Sequence, residues 1–249
     1  MTAMAGAGVS TDLDVPARAL AVGAHPDDVE FGCGATLAKW AAAGCEIHHL
    51  VCTDGSKGSW DPTEDVAALV GRRRDEQLAA SQALGGEGRV TFLGWTDGEL
   101  ASGREQVGRV AERIRRIRPE VVLGHDPWKR YRLHPDHRHA GFLVTDGIVA
   151  ARDPHFFPEH GLEPHRPSAL LLWEADEVDH VENAEGFADA KLAALLAHRS
   201  QFLTTMDIGD PDAGHEVEAF RERMHGRLRE HGRMAGLELG EAFKLMSRL

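Results

Sequence analysis

The 249-residue chain reads as one α/β domain: a Rossmann-like, doubly wound, mostly parallel sheet carrying an extra helical segment near its C-terminal end. Three observations predict this class. Short apolar runs of small and β-branched residues recur along the chain. Between them lie stretches whose apolar residues repeat with a helical period, and glycine, proline and aspartate mark the junctions. The length suits one sizeable domain better than two small ones. Residues 16–249 are expected to form that domain and residues 1–15 a loose tail.

The first strand is the run Ala19 to Gly23. A short helix follows from Ala35 to Ala43, with Leu37, Trp40 and Ala41 on one face and Gly44 at its end. Ile47 to Cys52 is the second strand and ends in the polar loop Thr53-Asp54-Gly55-Ser56-Lys57-Gly58. The spacing predicts a helix from about Val66 to Leu84, stopped by Gly85-Gly86, and a third strand from Arg89 to Leu93. Val107, Val110, Ile114 and Ile117 place a further helix before Pro119, and Glu120 to Gly124 is a strand. A polar loop, His125 to Leu133, leads to Pro135, a residue favoured at the first helical position; that helix runs to about Ala150.

Asp153 to Pro167, rich in proline and histidine, reads as a surface excursion. Ala169 to Trp173 is a fifth strand and Gly186 to His198 a helix. The amphipathic stretch Glu216 to His231 precedes a last segment around Leu239 to Phe243. Strands spaced by helices imply parallel βαβ units.

A formal charge of −12 argues against nucleic acid as a partner. Arg72-Arg73-Arg74 and the arginines from Arg113 to Arg118 are interleaved with acids or apolar residues and read mostly as solvated helix faces. Cys33, Cys45 and Cys52 are odd in number and show no Cys-x-x-Cys spacing, which fits a reducing compartment without disulfides. No run approaches the roughly 18 apolar residues of a membrane span. The first residues lack the basic start and apolar core of a signal peptide, so a cytoplasmic location is expected. A homo-oligomer is compatible with the sequence but not legible in it.

Chemistry concentrates in two places. His25-Pro26-Asp27-Asp28 follows the first strand directly, and the carboxyl ends of strands are where ligands bind in an open α/β sheet. Proline biases His25 towards extended geometry, which partly presets the turn that presents both acids. Imidazole nitrogen and carboxylate oxygen suit a borderline metal such as zinc, and a neighbouring acid can take a proton from water at the open position. A polar turn with a helix-capping aspartate would account for Asp27-Asp28 alone. The second cluster is His134-Pro135-Asp136-His137, with His139 beyond it. If Pro135 opens a helix, His134 and His137 can converge on one point, with Asp136 orienting a histidine. Two such clusters at strand-to-helix junctions of one sheet favour a metal site over two solvated turns.

Asp54, Ser56 and Lys57 lie in a loop at the same edge and could touch substrate. Trp128, Arg130 and Tyr131 precede the second cluster, where an aromatic face could stack on a ligand ring. Gly55 to Ser59 lacks phosphate-loop spacing, and Cys33 has no base placed for it. His198, near the end of an apolar helix, reads as structural, and His48 and His49 have no ligand spacing.

Taken together, Ala24-His25-Pro26-Asp27-Asp28 and His134-Pro135-Asp136-His137 resemble the LmbE-like, or PIG-L, family of metal-dependent N-acetylglucosaminyl deacetylases. Thr53-Asp54-Gly55, Arg73-x-x-Glu76, Lys191 to Ala194, His198-Arg199-Ser200-Gln201 and Glu241-Ala242-Phe243 extend the resemblance over most of the chain. It implies His25, Asp28 and His137 as metal ligands and Asp27 as the general base that activates water. His134 would stabilise the oxyanion or protonate the leaving amine, oriented by Asp136, and Arg73 would contact substrate. The metal would be zinc, with iron(II) acceptable to the same ligands. The substrate would be an N-acetylated amino-sugar conjugate, the products acetate and a free amine. A different amide, such as a thiol-sugar conjugate, or a non-catalytic sugar-binding domain with a structural metal, are the alternatives; the latter leaves Asp27 without a purpose.

Overall fold

The computed structural model describes residues 8–210, 212 and 214–249. In chain order the elements are β1 (Ser10–Thr11), β2 (Arg18–Gly23), α1 (Asp28–Ala42), β3 (Glu46–Thr53), α2 (Val66–Ala83), β4 (Val90–Trp95), α3 (Arg104–Ile117), β5 (Val121–His125), α4 (Pro135–Arg152), β6 (Ala169–Trp173), β7 (His180–Asn183), α5 (Ala188–Leu196), α6 (Phe202–Thr205), α7 (His215–Arg233) and β8 (Gly240–Met246). The strands form one sheet in the order β1-β7-β8-β6-β5-β2-β3-β4. From β4 to β6 all pairings are parallel, whereas β8 runs antiparallel to both β6 and β7. The expected doubly wound α/β sheet is present, in a mixed form, and α7 is the expected C-terminal helical segment.

Alternation along the strands builds two cores. Leu20 and Val22 face α3 and α4, packing with Val110, Ile114, Leu143 and Val144. Ala19 and Ala21 face the opposite layer with Leu37, Trp40, Ile47 and Leu84. Both faces being covered, β2 carries no polar alternation, as a buried parallel strand should not. From β2 the chain winds one way through β3 and β4, and from β5 the other way to β6. β2 and β5 are therefore neighbours at the point where winding reverses, and the crevice beyond their carboxyl ends is the natural place for a ligand.

Several expectations need correction. α1 begins at Asp28 rather than Ala35, and Cys33 (φ −148°, ψ 22°) breaks it, so only its second half carries the regular apolar face. Part of the supposed tail is structured: Ser10–Thr11 pair with β7, and Leu13 packs on the core while its N–H donates to Glu182. Residues 1–7 of that tail lie outside the described residues. The 153–167 excursion is pinned by Arg115, which is buried and donates to the carbonyls of Ala150, Asp153 and Phe156, so this arginine is not on a solvated face. β7 was missed because it is short and carries His180 and Glu182 among its buried residues. β8 is held by a buried ion pair, Glu241 with Lys191 at 2.6 Å; Glu241 also accepts from Thr36 N at 2.7 Å and Thr36 Oγ1 at 2.6 Å.

Candidate active site

The loop after β2 is held in an uncommon conformation by α2. Asp27 has φ 101°, left-handed territory that costs a non-glycine residue ~1–2 kcal/mol. Its N–H donates to Gln77 Oε1 at 3.0 Å. One helical turn earlier, Arg73 Nη2 donates to the Pro26 carbonyl at 2.7 Å and lies 3.5 Å from Asp27 Oδ2. Gln77 is held in turn, donating to Glu30 Oε1 at 2.7 Å, and His198 Nε2 stands 3.4 Å from Glu30 Oε2. Gln77, Glu30 and His198 are wholly buried.

Asp28 stands among three imidazoles. Its Oδ2 accepts from His25 N–H at 2.7 Å and lies 3.4 Å from His25 Nδ1 and 3.2 Å from His125 Nε2; its Oδ1 lies 3.2 Å from His137 Nε2. The other nitrogen of His25, Nε2, faces Asp136 Oδ2 at 3.1 Å and Asp97 Oδ1 at 3.2 Å. Asp136 is fixed by the N–H groups of Gly98 and Leu100.

Hydrogen-bond logic sorts the nitrogens. Trp173 Nε1–H donates to His125 Nδ1 at 3.0 Å, and an indole can only donate, so neutral His125 carries its proton on Nε2. It faces Asp28 as a donor group and not as a metal ligand. His134 Nδ1 accepts the Asp136 N–H at 3.3 Å, which leaves its Nε2–H free to donate into the cleft. His137 Nδ1 accepts from Arg132 at 2.9 Å, yet Arg132 also pairs with Glu174. For His137 Nε2 to offer a lone pair, the ring proton must sit on Nδ1, which leaves Arg132 to Glu174 alone.

Among the described residues, three groups bring ligand atoms within 4.8 Å of one another: His25-Asp28-His137, His25-Asp97-His134 and His125-His137-Glu174. The second would use His25 Nε2, already taken by Asp136, and the third would use the donor-locked His125. His25, Asp28 and His137 are therefore the set best suited to a divalent cation, with Asp136 behind His25 in the position of an orienting carboxylate.

Electrostatics separates the two adjacent acids. Burial pushes Asp27 up to about 6 against the opposing Arg73 guanidinium. Burial would also raise Asp28, but His137 and His125 hold it well below the usual carboxylate range. Burial would lower His25, yet Asp136, Asp28 and Asp97 keep it well above its ordinary value. His134 is depressed by burial and by the neighbouring His25 and His137. One acid is thus poised to take a proton, the other to stay ionised.

A cleft of about 510 Å³ opens over this cluster, and His25, Asp27, Asp28, Arg73, His134 and His137 line it as the sequence expects. Three expectations change. The Asp136 carboxylate reaches His25, and only its backbone touches His134. Asp54 turns away to accept from Ser56 N and Asp97 N, so it shapes the loops. Trp128 packs edge-on against Phe142 outside the cleft, and the exposed aromatic that lines it is Trp60. Sequence reasoning missed Asp97, His125 and Gln77. The first two sit just past β4 and at the last residue of β5, so a polar residue at each strand's carboxyl end was the available signal. For Gln77 there was none, because only folding brings α2 against the loop.

Fold and site together define the class: an α/β protein whose sheet gathers a His-Asp-His group that could hold a cation, and an adjacent acid, at its switch point. Residues 20–148 match the family described as PIG-L, GlcNAc-PI de-N-acetylase. The chain belongs to this family. It is 34% identical over 188 residues to diacetylchitobiose deacetylase of Thermococcus kodakarensis, covering 74% of this chain and 70% of that one. It is 30% identical over 239 residues to 1D-myo-inositol 2-acetamido-2-deoxy-alpha-D-glucopyranoside deacetylase of Mycolicibacterium vanbaalenii, covering 77% and 83% respectively. Among solved structures, N,N'-diacetylchitobiose deacetylase from Pyrococcus horikoshii matches with a TM-score of 0.83 at 28% identity, over 93% of this chain and 84% of that chain.

Proposed function

We propose that this protein is a zinc-dependent N-deacetylase that removes the acetyl group from an N-acetylglucosamine conjugate. The observation that carries it is the position of Asp27: a buried carboxyl held by Gln77 and Arg73 beside the His25-Asp28-His137 group. A divalent cation, when bound, supplies Lewis acidity to the amide carbonyl and to water.

The chain's own residues do the rest. Asp27 takes the proton of the attacking water, a task that suits a carboxyl raised towards neutrality. His134 presents Nε2–H to the carbonyl oxygen as it turns tetrahedral, and the proton that Asp27 has taken from the water passes to the departing amine nitrogen. Asp136 holds His25 through Nε2, and Trp173 keeps His125 as a donor towards Asp28. A cytoplasmic place is part of the proposal, supported by three buried free cysteines.

Acetate release from N-acetylglucosamine and its conjugates, with protein stripped of metal and refilled with zinc or iron(II), tests the reaction. Asp27→Ala should keep its metal and lose turnover by about 10²–10⁴-fold, whereas His137→Ala should lose both. Wild-type turnover by Asp27→Ala would remove the base assignment. Absence of acetate from every sugar despite one bound metal would remove the deacetylase.

A further inference from the structure

The segment that follows α5 has no part in the chemistry above, yet it is fastened to the helix that holds the Asp27 loop. Ser200 donates to both carboxylate oxygens of Glu76, from N at 2.8 Å and from Oγ at 2.6 Å. That contact sets His198 beside α2, wholly buried, with Nε2 3.4 Å from Glu30 Oε2. Among the described residues, neither ring nitrogen of His198 nor Glu30 Oε2 has any other hydrogen-bond partner. Burial would lower His198, but Glu30 keeps it above its ordinary value, so it meets Glu30 as a donor.

Stability does not account for this group. Glu30, His49, Gln77 and His198 are wholly buried, and an apolar set of similar volume is often as stable as a buried ion pair, or more so. Orientation does account for it. The Asp27 backbone N–H can only donate, so the Gln77 atom that meets it at 3.0 Å is Oε1, and Nε2 must point the other way. There it finds Glu30 Oε1 at 2.7 Å and His49 Nδ1 at 3.4 Å. Turned over, the amide would set its own N–H groups against the Asp27 N–H and its oxygen against the carboxylate. The orientation that holds Asp27 at φ 101° therefore depends on Glu30 keeping Oε1 in place, and His198 is the group that meets the far oxygen of Glu30.

We propose, resting on the deacetylase reading above, that His198 is a positioning residue for Asp27. It fixes Glu30 from behind, Glu30 fixes the Gln77 amide, and Gln77 holds the Asp27 N–H. Loss of the last link frees Glu30 to turn, lets the Gln77 amide turn over, and releases the carboxylate that takes the proton from water. No link in this chain of contacts is one of the cation ligands His25, Asp28 and His137.

The test measures kcat and KM for acetate release by zinc-loaded wild type, His198→Leu and His198→Gln, each with and without Gln77→Leu. His198→Leu should lower kcat about 10–100-fold while KM and zinc content stay within about twofold. His198→Gln, whose amide N–H reaches where Nε2–H stood, should recover most of kcat. Added to Gln77→Leu, His198→Leu should cost nothing further, because both act through one contact. Effects that multiply, or a loss that His198→Gln does not recover, overturn the proposal. A second readout needs no turnover: hydrogen exchange at the Asp27 amide. It should be at least about tenfold faster in His198→Leu than in wild type, while the amides of Leu20, Ala21 and Val22 keep their protection. That pattern keeps the positioning role even if acetate is never released. Unchanged exchange at Asp27, or protection lost along β2 as well, overturns it. If His198→Leu does not fold, His198→Asn, too short to reach Glu30, is read in its place.

Discussion

Replacing Gln77 with leucine removes the acceptor that holds the Asp27 N–H at 3.0 Å. Two outcomes then compete. If the loop stays in place, a buried N–H is orphaned at a cost of ~1–3 kcal/mol. If Asp27 instead leaves φ 101°, it recovers the ~1–2 kcal/mol of left-handed strain and its N–H can find water. Relaxation wins, and it turns the carboxylate away from its place. The stability loss is then set by buried Glu30 Oε1, which loses its 2.7 Å donor at a cost of ~1–3 kcal/mol, or about 2–12 °C in Tm for a domain of this size. The loss in kcat is large, on the order of 100-fold, as for a catalytic group displaced by about 1 Å. Metal content should hold, because Asp28 and His25 are tied to each other independently at 2.7 Å. The assay is kcat and KM for acetate release together with zinc stoichiometry. Gln77→Glu combined with Glu30→Gln rebuilds the acceptor with the pair's hydrogen bond reversed, and should recover most of kcat where Gln77→Glu alone does not. Wild-type kcat in metal-replete Gln77→Leu would show that Asp27 does not depend on this contact.

The raised Asp27 also makes a stability prediction for the metal-free protein. The folded carboxyl keeps its proton to about pH 6, whereas the unfolded one releases it near 3.8, so stability falls as pH rises between these values. Asp27→Asn removes that penalty, at most ~3 kcal/mol, and should be more stable than wild type in denaturant titrations at pH 8 but little different at pH 4. A less stable Asp27→Asn at pH 8 would contradict the assigned shift. Glu241→Leu strands Lys191 as a buried charge and should cost ~3–5 kcal/mol, measured by denaturant midpoint, with Lys191→Met in the same chain restoring part of it. A loss below ~1 kcal/mol would mean that the pair behaves as an exposed one.

The strands of the central sheet were legible because burial on both faces writes them as continuous apolar runs, as in Ala19 to Gly23 and Ala169 to Trp173. β7 was not, since a short strand whose His180 and Glu182 pair with each other at 2.9 Å carries no apolar signature. Nor was the reversal of β8, which depends on Glu241 meeting Lys191 and Thr36 from distant parts of the chain. Within the site, local motifs revealed the residues whose chemistry and spacing lie close together, the 25–28 and 134–137 clusters. Contacts between elements decided the rest: Asp136 serving His25, Trp128 leaving the cleft, and Trp60 entering it.

The sequence by itself determined which side chains could bind a cation and move a proton, and that they would stand at the carboxyl edge of a parallel sheet, because strand periodicity and turn chemistry are local. Only the tertiary structure decided which nitrogen of each histidine is free and which of two adjacent aspartates stays ionised. Those properties depend on Trp173, Arg73, Gln77 and His125, which meet the site through space. A pKa or a tautomer is set by neighbours within a few ångströms, and it is folding that chooses them.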